Sequence, residues 1–210
     1  MRYDAIVLGV GGMGSAALYH LARRGRRVLG IEQFPLGHEF GSSHGVTRII
    51  RLAYAEHPAY VPLLVRAYEL WRETERAAGE RLLFVTGGLD IGEEDGAMVA
   101  GSLRSCREHG IAHEVIGAAE IGRRFPCYRL PRGMAAVYQA DGGFVLPERS
   151  IAVHGNLALA LGAEVHSSER VEEWSADGGG IEVRTERGSY RADRLIVTAG
   201  AWTARMAPTL

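Results

Sequence analysis

The hydrophobic pattern at the start of the chain predicts a strand, a turn, a helix and a second strand. Residues 3–9 (YDAIVLG) form a short apolar run rich in β-branched side chains, which is typical of a buried strand. A helical pattern follows over residues 15–24, and Gly25 ends it. Residues 27–34 (RVLGIEQF) form a second apolar run, so the pattern indicates two parallel strands joined by a helix.

A longer helix is predicted over residues 58–78, after a polar, glycine-rich loop at residues 35–45. Apolar side chains recur in this helix at three- and four-residue spacing, so one of its faces should be buried. The side chains of that face are Val61, Leu64, Val65, Tyr68 and Trp71.

Shorter elements alternate after residue 82. Strands are predicted at residues 84–92 and 112–117, a strand and a turn at residues 134–146, and helices at residues 97–109 and 118–126. Because this mixture differs from the simple strand-helix alternation before it, we expect residues 82–146 to form a separate α+β layer.

The last part of the chain predicts a helix and then an antiparallel meander. Pro147 is well placed as the first residue of the helix. Strand-forming residues alternate at Ile181, Val183 and Thr185, between glycine-rich turns. Residues 195–198 (LIVT) form an apolar strand that should return to the parallel sheet.

The composition is that of a soluble globular protein. The chain has 210 residues, of which 47% are hydrophobic and 23% charged. Its apolar runs are shorter than the roughly 18 residues that suggest a membrane span, and its start lacks the layout of a signal peptide, so we expect a cytoplasmic protein. A formal net charge of −1 argues against nucleic-acid binding. The sequence does not indicate the oligomeric state.

The reactive side chains exclude several kinds of chemistry. All 24 basic residues are arginine, so this chain has no lysine to form a Schiff base, bind phosphate in a Walker motif or act as a base. Cys106 and Cys127 are the two cysteines, which are too few for a disulfide framework and lack metal-ligand spacing. We expect no metal site.

The turn after the first strand carries a GxGxxG motif. Its residues are Gly9, Val10, Gly11, Gly12, Met13 and Gly14. In a dinucleotide site, Gly9 allows the tight turn, Gly11 lets the backbone approach a pyrophosphate, and Gly14 lets the helix pack close to the sheet. The helix N-terminus favours the phosphates, and Glu32 at the end of the second strand can accept hydrogen bonds from ribose hydroxyls. The alternative is a tight turn that binds nothing.

The motif favours a dinucleotide site without identifying the dinucleotide. NAD and FAD both use it, whereas NADP is less favoured because no arginine follows Glu32 to bind a 2′-phosphate. We assign the dinucleotide-binding domain to residues 1–81 and 147–210, with residues 82–146 as the inserted layer.

Two further stretches are candidates for ligand binding. Residues 41–51 (GSSHGVTRIIR) contain Arg48 and Arg51, which would share a face on a helical turn and could bind an anion together. From spacing alone, a pair of surface arginines is the favoured interpretation. Residues 198–202 (TAGAW) end the returning strand, where small residues would let the backbone approach a cofactor; the alternative is a plain strand exit.

Together these stretches resemble one family. The motifs GVGGMG, SSHGVTRIIR, YVPLLVRAYELW and RLIVTAGAW, with Glu32, occur in the order typical of monomeric sarcosine oxidase and N-methyltryptophan oxidase. These enzymes are flavoprotein amine oxidases of the D-amino-acid-oxidase superfamily. The resemblance covers essentially all 210 residues, and SHGxTRIIR is much more specific than the glycine motif.

The resemblance implies an α/β fold: a Rossmann-like FAD-binding domain with a parallel sheet and an antiparallel meander, plus part of an inserted α+β substrate domain. It implies that FAD places its adenosine ribose on Glu32 and its pyrophosphate on the glycine turn. It implies a catalytic role for Arg48, Arg51 and His44, with Arg51 binding the substrate carboxylate. The further FAD contacts that it implies are Ser43, His44, Thr47, Arg48, Val171, Ala199, Gly200 and Trp202.

The implied reaction is oxidation of a secondary N-methyl amino acid by O2, which gives an imine or aldehyde and hydrogen peroxide. The resemblance also implies a further segment after Leu210, with the cysteine that attaches the flavin and two functional lysines, so we expect this chain to be a fragment. Two alternatives remain open, namely an NAD-dependent dehydrogenase and an FAD-binding module without catalytic activity.

Overall fold

The chain divides into two compact units. The computed structural model describes residues 2–206, of which residues 2–46 and 146–206 form the first unit and residues 47–145 the second. The second unit therefore begins at Thr47, whereas the sequence places a domain boundary after residue 81. Met1 and residues 207–210 of the predicted dinucleotide-binding domain lie outside the described residues.

Strands and helices alternate along much of the chain. The strands are β1 (Arg2–Leu8), β2 (Val28–Ile31), β3 (Arg48–Ile50), β4 (Leu83–Val85), β5 (Gly88–Glu93), β6 (Glu114–Gly117), β7 (Met134–Gln139), β8 (Gly143–Val145), β9 (Glu164–His166), β10 (Val171–Asp177), β11 (Gly180–Thr185) and β12 (Gly188–Val197). The α-helices are α1 (Gly12–Arg23), α2 (Val61–Ala78), α3 (Ala97–His109), α4 (Ala118–Arg124), α5 (Pro147–Ala160) and α6 (Thr203–Met206). Short 3-10 turns at Pro58–Tyr60 and Gly200–Trp202 precede α2 and α6. Within the described residues, none of these helices is both long enough and apolar enough to span a membrane.

A six-stranded mixed sheet forms the centre of the first unit. Its strand order is β10-β11-β12-β1-β2-β9. Strands β12, β1, β2 and β9 are parallel, and β10, β11 and β12 form the antiparallel meander. Strand β12 belongs to both parts, because Ala192 lies opposite Ile181 of β11 while Val197 lies opposite Leu8 of β1. This confirms the predicted α/β fold with a parallel sheet and a meander.

The two faces of this sheet are buried by different elements. Side chains alternate along β1, so Ile6 and Val7 point to opposite faces. Val7 packs with Leu18 of α1 and Ala158 of α5, whereas Ile6 packs with Val183 of the meander. Each face thus has its own apolar core, and β1 is held firmly beneath the turn that follows it.

The second unit contains two small antiparallel sheets, β3-β8-β4 and β5-β7-β6. Helix α3 packs on the second sheet, where Val99 and Cys106 contact Val137 and Ala53. The strand predicted at residues 84–92 is in fact two strands, because Gly87 has a φ of +84° and breaks the extended backbone.

The burial predicted for one face of α2 is wrong in part. Val61 is 2% exposed, but Val65 is 46% exposed, and Leu64, Tyr68 and Trp71 are half-buried. Apolar periodicity shows which side of a helix is apolar, but it does not show whether another element of the same chain covers that side.

Candidate functional site

A cavity of about 430 Å³ lies at the carboxyl ends of β1, β2 and β12 in the first unit. This is the edge at which open α/β sheets bind ligands, and the volume lies in the usual range for ligand pockets. Many of the predicted site residues line it, namely Gly9, Val10, Gly11, Gly12, Met13, Glu32, Ser43, Val171, Ala199, Gly200 and Trp202. Gly14 lies just inside α1, beneath the cavity, and the functional roles of all these residues stay predictions.

The glycine turn needs glycine at two positions because backbones approach closely there. Gly9 has a φ of +90°, and a Cβ atom on it would lie 2.7 Å from the Thr198 carbonyl oxygen. A Cβ atom on Gly14 would lie only 1.8 Å from the Gly9 carbonyl oxygen. Helix α1 therefore packs directly against the turn, which aims its N-terminus into the cavity.

Thr198 fastens this turn to the end of β12. Its backbone N–H donates to the Leu8 carbonyl oxygen at 2.8 Å, and its hydroxyl donates to the Gly9 carbonyl oxygen at 2.7 Å. The sequence places Thr198 in a strand exit but gives no sign of this contact with the glycine turn.

The N-terminus of α1 offers an anion site. The helix begins at Gly12 and has no acidic residue in its first turn, so none of its own carboxylates offsets the positive end of the helix dipole. The backbone N–H of Gly12 donates to the Ser43 hydroxyl at 3.2 Å. At Gly11 an added Cβ atom would meet Ser43 Oγ at 3.9 Å and no closer atom, so a ligand has room to approach the backbone there.

Glu32 places a fixed carboxylate beside the same turn. The residue is 6% exposed. Its Oε2 accepts a hydrogen bond from the Val10 N–H at 2.9 Å, and its Oε1 accepts one from the Phe34 N–H at 3.1 Å. His38 Nε2 lies 3.5 Å from Oε1. Since each carboxylate oxygen can accept two hydrogen bonds, Glu32 keeps acceptor capacity for a ligand hydroxyl. The sequence marks Glu32 but not His38, which also lines the cavity.

A buried charge cluster centres on Glu169, whose residue lines the cavity next to Val171. Its carboxylate accepts hydrogen bonds from Thr185 Oγ1 at 2.6 Å and Tyr190 OH at 2.8 Å. It also lies 3.2 Å from His166 Nδ1 and 3.7 Å from Arg187 Nη1. Burial by itself would raise the pKa of Glu169, but these hydrogen bonds and neighbouring charges lower it below its ordinary value. The sequence gives no sign of this cluster.

The end of β12 leads into a compact aromatic corner. Gly200 has a φ of +54° and begins the 3-10 turn Gly200–Trp202. The rings of Trp202 and Phe34 form a T-shaped contact with a centroid distance of 5.5 Å. The small residues that the sequence marks as a possible ligand wall thus lie in and next to a 3-10 turn that ends at Trp202.

The two candidate arginines lie in the second unit, on an extended segment and not on the helical turn that would give them a shared face. Arg48 begins strand β3 opposite Val145, and Arg51 follows directly after that strand. Residues three apart on an extended chain point to opposite sides. Pairing with β8, far away in sequence, decides this conformation, so the local spacing is a poor guide. Thr47 lies beside them, whereas His44 lies in the first unit.

Arg51 is held among acidic and aromatic side chains of the second unit. Its Nε lies 3.3 Å from Asp90 Oδ1, and one Nη lies 3.8 Å from Glu56 Oε2. Its guanidinium also stacks 4.9 Å from the centre of the Tyr54 ring. Arg51 is only 20% exposed, so it is a partly desolvated cation rather than a free surface charge.

Asp90, which the sequence does not single out, organises the other side of Arg51. Its Oδ2 accepts hydrogen bonds from Ser102 Oγ at 2.9 Å and from Gln139 Nε2 at 3.0 Å. Burial raises the pKa of Asp90, and the positive charge of Arg51 opposes that rise. Cys106 in the same unit is buried, and burial raises the pKa of its thiol to about 11. The described residues include no group of three potential metal ligands.

Comparison with known proteins shows that the chain is similar to FAD-dependent oxidoreductases. A family model described as FAD dependent oxidoreductase (DAO) matches residues 4–210. The chain is 46% identical to monomeric sarcosine oxidase from Streptomyces avermitilis over 204 residues, which cover 97% of this chain and 53% of that protein. It is 34% identical to N-methyl-L-tryptophan oxidase from Salmonella enteritidis over 210 residues, which cover 100% of this chain and 56% of that protein.

A solved structure also matches the chain over its whole length. NikD, described as an unusual amino acid oxidase essential for nikkomycin biosynthesis, matches with a TM-score of 0.89 and 31% identity. The match covers 100% of this chain and 54% of NikD. The chain thus spans about half the length of the relatives that it matches.

Proposed function

We propose, since the chain belongs to the DAO family of FAD-dependent oxidoreductases, that it holds the adenosine and pyrophosphate parts of FAD for oxidation of a secondary N-methyl amino acid. The proposed substrates are a small, sarcosine-like amino acid and O2, and the proposed products are an imine or aldehyde and hydrogen peroxide. Similarity to sarcosine and N-methyltryptophan oxidases over nearly the whole chain supports this substrate class.

One observation carries the cofactor part of this proposal. A single cavity combines the N-terminus of α1, backbone open to a ligand at Gly11, and the buried carboxylate of Glu32. FAD has an anionic pyrophosphate next to an adenosine ribose with two hydroxyl groups. A helix N-terminus suits the first and a fixed carboxylate suits the second, so the residues present fit FAD.

The protein would bind and orient the cofactor through these groups. When bound, FAD supplies the electron acceptor for amine oxidation, a chemistry that protein side chains do not provide. The first turn of α1 would hold the pyrophosphate, Glu32 would accept hydrogen bonds from the ribose, and Val171 would contact the adenine. Ala199, Gly200 and Trp202 would form the wall at the end of β12.

The roles of the remaining predicted residues rest on the family resemblance. Arg51 would bind the substrate carboxylate with two parallel hydrogen bonds, and its partly buried guanidinium suits that role. Arg48, with Ser43, His44 and Thr47, would lie near the flavin, where Arg48 would stabilise negative charge. Replacing Arg51 by Lys should raise the Michaelis constant roughly ten- to a hundredfold, because a hydrogen bond to a charged group contributes about 1.5–3 kcal/mol.

Titration of the purified chain with FAD and with NADH tests the cofactor assignment. We expect FAD to bind weakly and without a covalent bond, and NADH not to bind, as measured by flavin fluorescence and calorimetry. The substitution Glu32→Gln should weaken FAD binding by about tenfold or more, because it removes the charge that strengthens the ribose hydrogen bonds. Glu39→Gln, an exposed site in the following loop, is the matched control and should not change the affinity.

The alternatives give different results in the same experiment. Binding of NADH without FAD would favour a dehydrogenase and would refute the proposal. Binding of FAD without bleaching of the flavin by sarcosine or related N-methyl amino acids under anaerobic conditions would favour a binding module without catalytic activity.

A further inference from the structure

Two backbone irregularities flank Glu169 where the chain passes from β9 to β10. Ser168 has a φ of +53°, and among residues 2–206 it is the one non-glycine residue with a positive φ. The register of β10 against β11 then shifts between Val171 and Glu173. A left-handed serine persists only where surrounding contacts hold it, and bulges commonly redirect side chains beside binding sites. This segment is therefore shaped by its contacts rather than by regular strand pairing.

Glu169 connects this segment to structure on both sides. Its backbone N–H donates to the carbonyl oxygen of Glu32 at 2.9 Å, so the segment is tied to the end of β2. Its carboxylate reaches into the meander, where the Thr185 and Tyr190 hydroxyls donate to it. Arg187 completes the arrangement, because it donates to the Ser168 carbonyl oxygen at 2.7 Å and also faces the Glu169 carboxylate.

Two residues next to Glu169 line the candidate cofactor cavity. Glu32 and Val171 both line the cavity, and they lie on either side of Glu169. Glu169 is 1% exposed, and its carboxylate is bonded to the meander, so the carboxylate would act through Glu32 and Val171.

We propose that Glu169 is a positioning residue for the adenosine end of the cofactor cavity, which it serves by fixing Val171 relative to Glu32. This inference rests on the proposed FAD site and concerns the adenosine part alone. It assigns a role in cofactor binding to the Glu169 carboxylate, and through that carboxylate to the meander that holds it.

Calorimetric titration with ADP and with FAD tests this role. The substitution Glu169→Gln should weaken the binding of ADP and of FAD by about tenfold. The amide removes the negative charge that faces Arg187, and its NH2 group cannot accept hydrogen bonds as the second carboxylate oxygen does. Thr185→Val keeps nearly the same shape but removes the hydroxyl that donates to Glu169 and accepts from the Arg187 and Gly188 N–H groups. It should weaken ADP binding by roughly threefold to tenfold. Thr185→Ser restores the hydroxyl and should restore most of the affinity, which a general loss of packing would not do.

Glu173→Gln is the matched control. Glu173 lies on β10 and is 66% exposed, with Arg184 as its partner, so its replacement should leave ADP affinity unchanged. All titrations are made well below the unfolding temperature of each variant, and the Thr185 pair decides the question if Glu169→Gln does not fold.

The outcomes separate this inference from the proposed function. If the wild-type chain binds neither FAD nor ADP, both fail. If it binds FAD but not ADP, or if Glu169→Gln and Thr185→Val bind ADP as the wild type does, the positioning role alone is overturned. Equal losses in Thr185→Val and Thr185→Ser would also overturn it, because they would indicate packing rather than the hydroxyl contact.

Discussion

The contact between Gly14 and the glycine turn gives a sharp prediction for a single methyl group. In Gly14→Ala, the new Cβ would lie 1.8 Å from the Gly9 carbonyl oxygen and 2.7 Å from Thr198 Oγ1. Side-chain carbon atoms do not approach oxygen so closely, so α1 would have to move away from the turn by roughly 1 Å. Overpacking of a rigid site lowers the free energy of unfolding by about 1–3 kcal/mol. Because the obstacle to this Cβ atom includes backbone, we expect a loss at or above the upper end of that range.

Gly155→Ala in α5 provides a matched control. Position 155 has open space for a Cβ atom, with no other heavy atom within 4 Å of it apart from its own helix backbone and chain neighbours. Alanine should stabilise this helix by about 0.5–1 kcal/mol, because glycine loses more backbone entropy in a helix. The same chemical change is thus expected to have opposite signs in two helices of the same unit.

Urea denaturation followed by circular dichroism measures both changes. With a slope of about 1–3 kcal/mol per molar urea, a loss of about 3 kcal/mol in Gly14→Ala should lower the midpoint by about 1 M or more. FAD affinity should fall too, because the N-terminus of α1 would no longer face the cavity correctly. An unchanged midpoint in Gly14→Ala, or equal shifts in both variants, would refute the argument.

Three further predictions concern buried groups. Asp90→Ala should destabilise the chain by roughly 3 kcal/mol in thermal denaturation. Asp90→Asn should destabilise it less, because asparagine keeps an acceptor for the Ser102 and Gln139 donors, and equal losses in the two variants would contradict this. At neutral pH, iodoacetamide should alkylate the exposed Cys127 and leave Cys106 unmodified by mass spectrometry, since the Cys106 thiol is buried and its pKa is raised to about 11; modification of Cys106 in the folded chain would show that the site is open. Burial and the nearby His20 lower the pKa of His154 from 6.5 to about 4, so protons favour the unfolded state and stability should fall by up to roughly 3 kcal/mol as pH drops from 6.5 to 4. His154→Phe should flatten that part of the stability profile, and an unchanged slope would show that other groups cause it.

The sequence predicts the first strand-turn-helix-strand unit well because its signals are local. Gly9 and Gly14 are needed where backbones nearly touch, and that need leaves a readable glycine spacing. The apolar run of β1 likewise reports burial on both faces of the sheet. Glu32 is readable for the same reason, since it directly follows strand β2 beside the turn.

Other parts of the site are not readable because they depend on contacts between distant residues. Ser43 meets Gly12 from a loop 31 residues away, and Thr198 meets Gly9 from 189 residues away. Neither contact leaves a periodic pattern. The conformation of Arg48 and Arg51 is unreadable for a related reason, since β3 pairs with β8, which is far away in sequence.

The position of β12 beside β1 has a consequence for the way the chain is made and folded. The hydrogen bond from Thr198 to Leu8 joins residues 190 apart, so this pairing closes a very long loop. Non-local strand pairing of this kind is slow, and during synthesis it cannot begin until the ribosome has delivered β12. Until then, one edge of β1 lacks its partner strand, and the Gly9 carbonyl oxygen lacks the hydrogen bond from Thr198. We therefore expect β1 to be synthesised long before it becomes fully structured, and its unpaired edge should be open to chaperones during that interval.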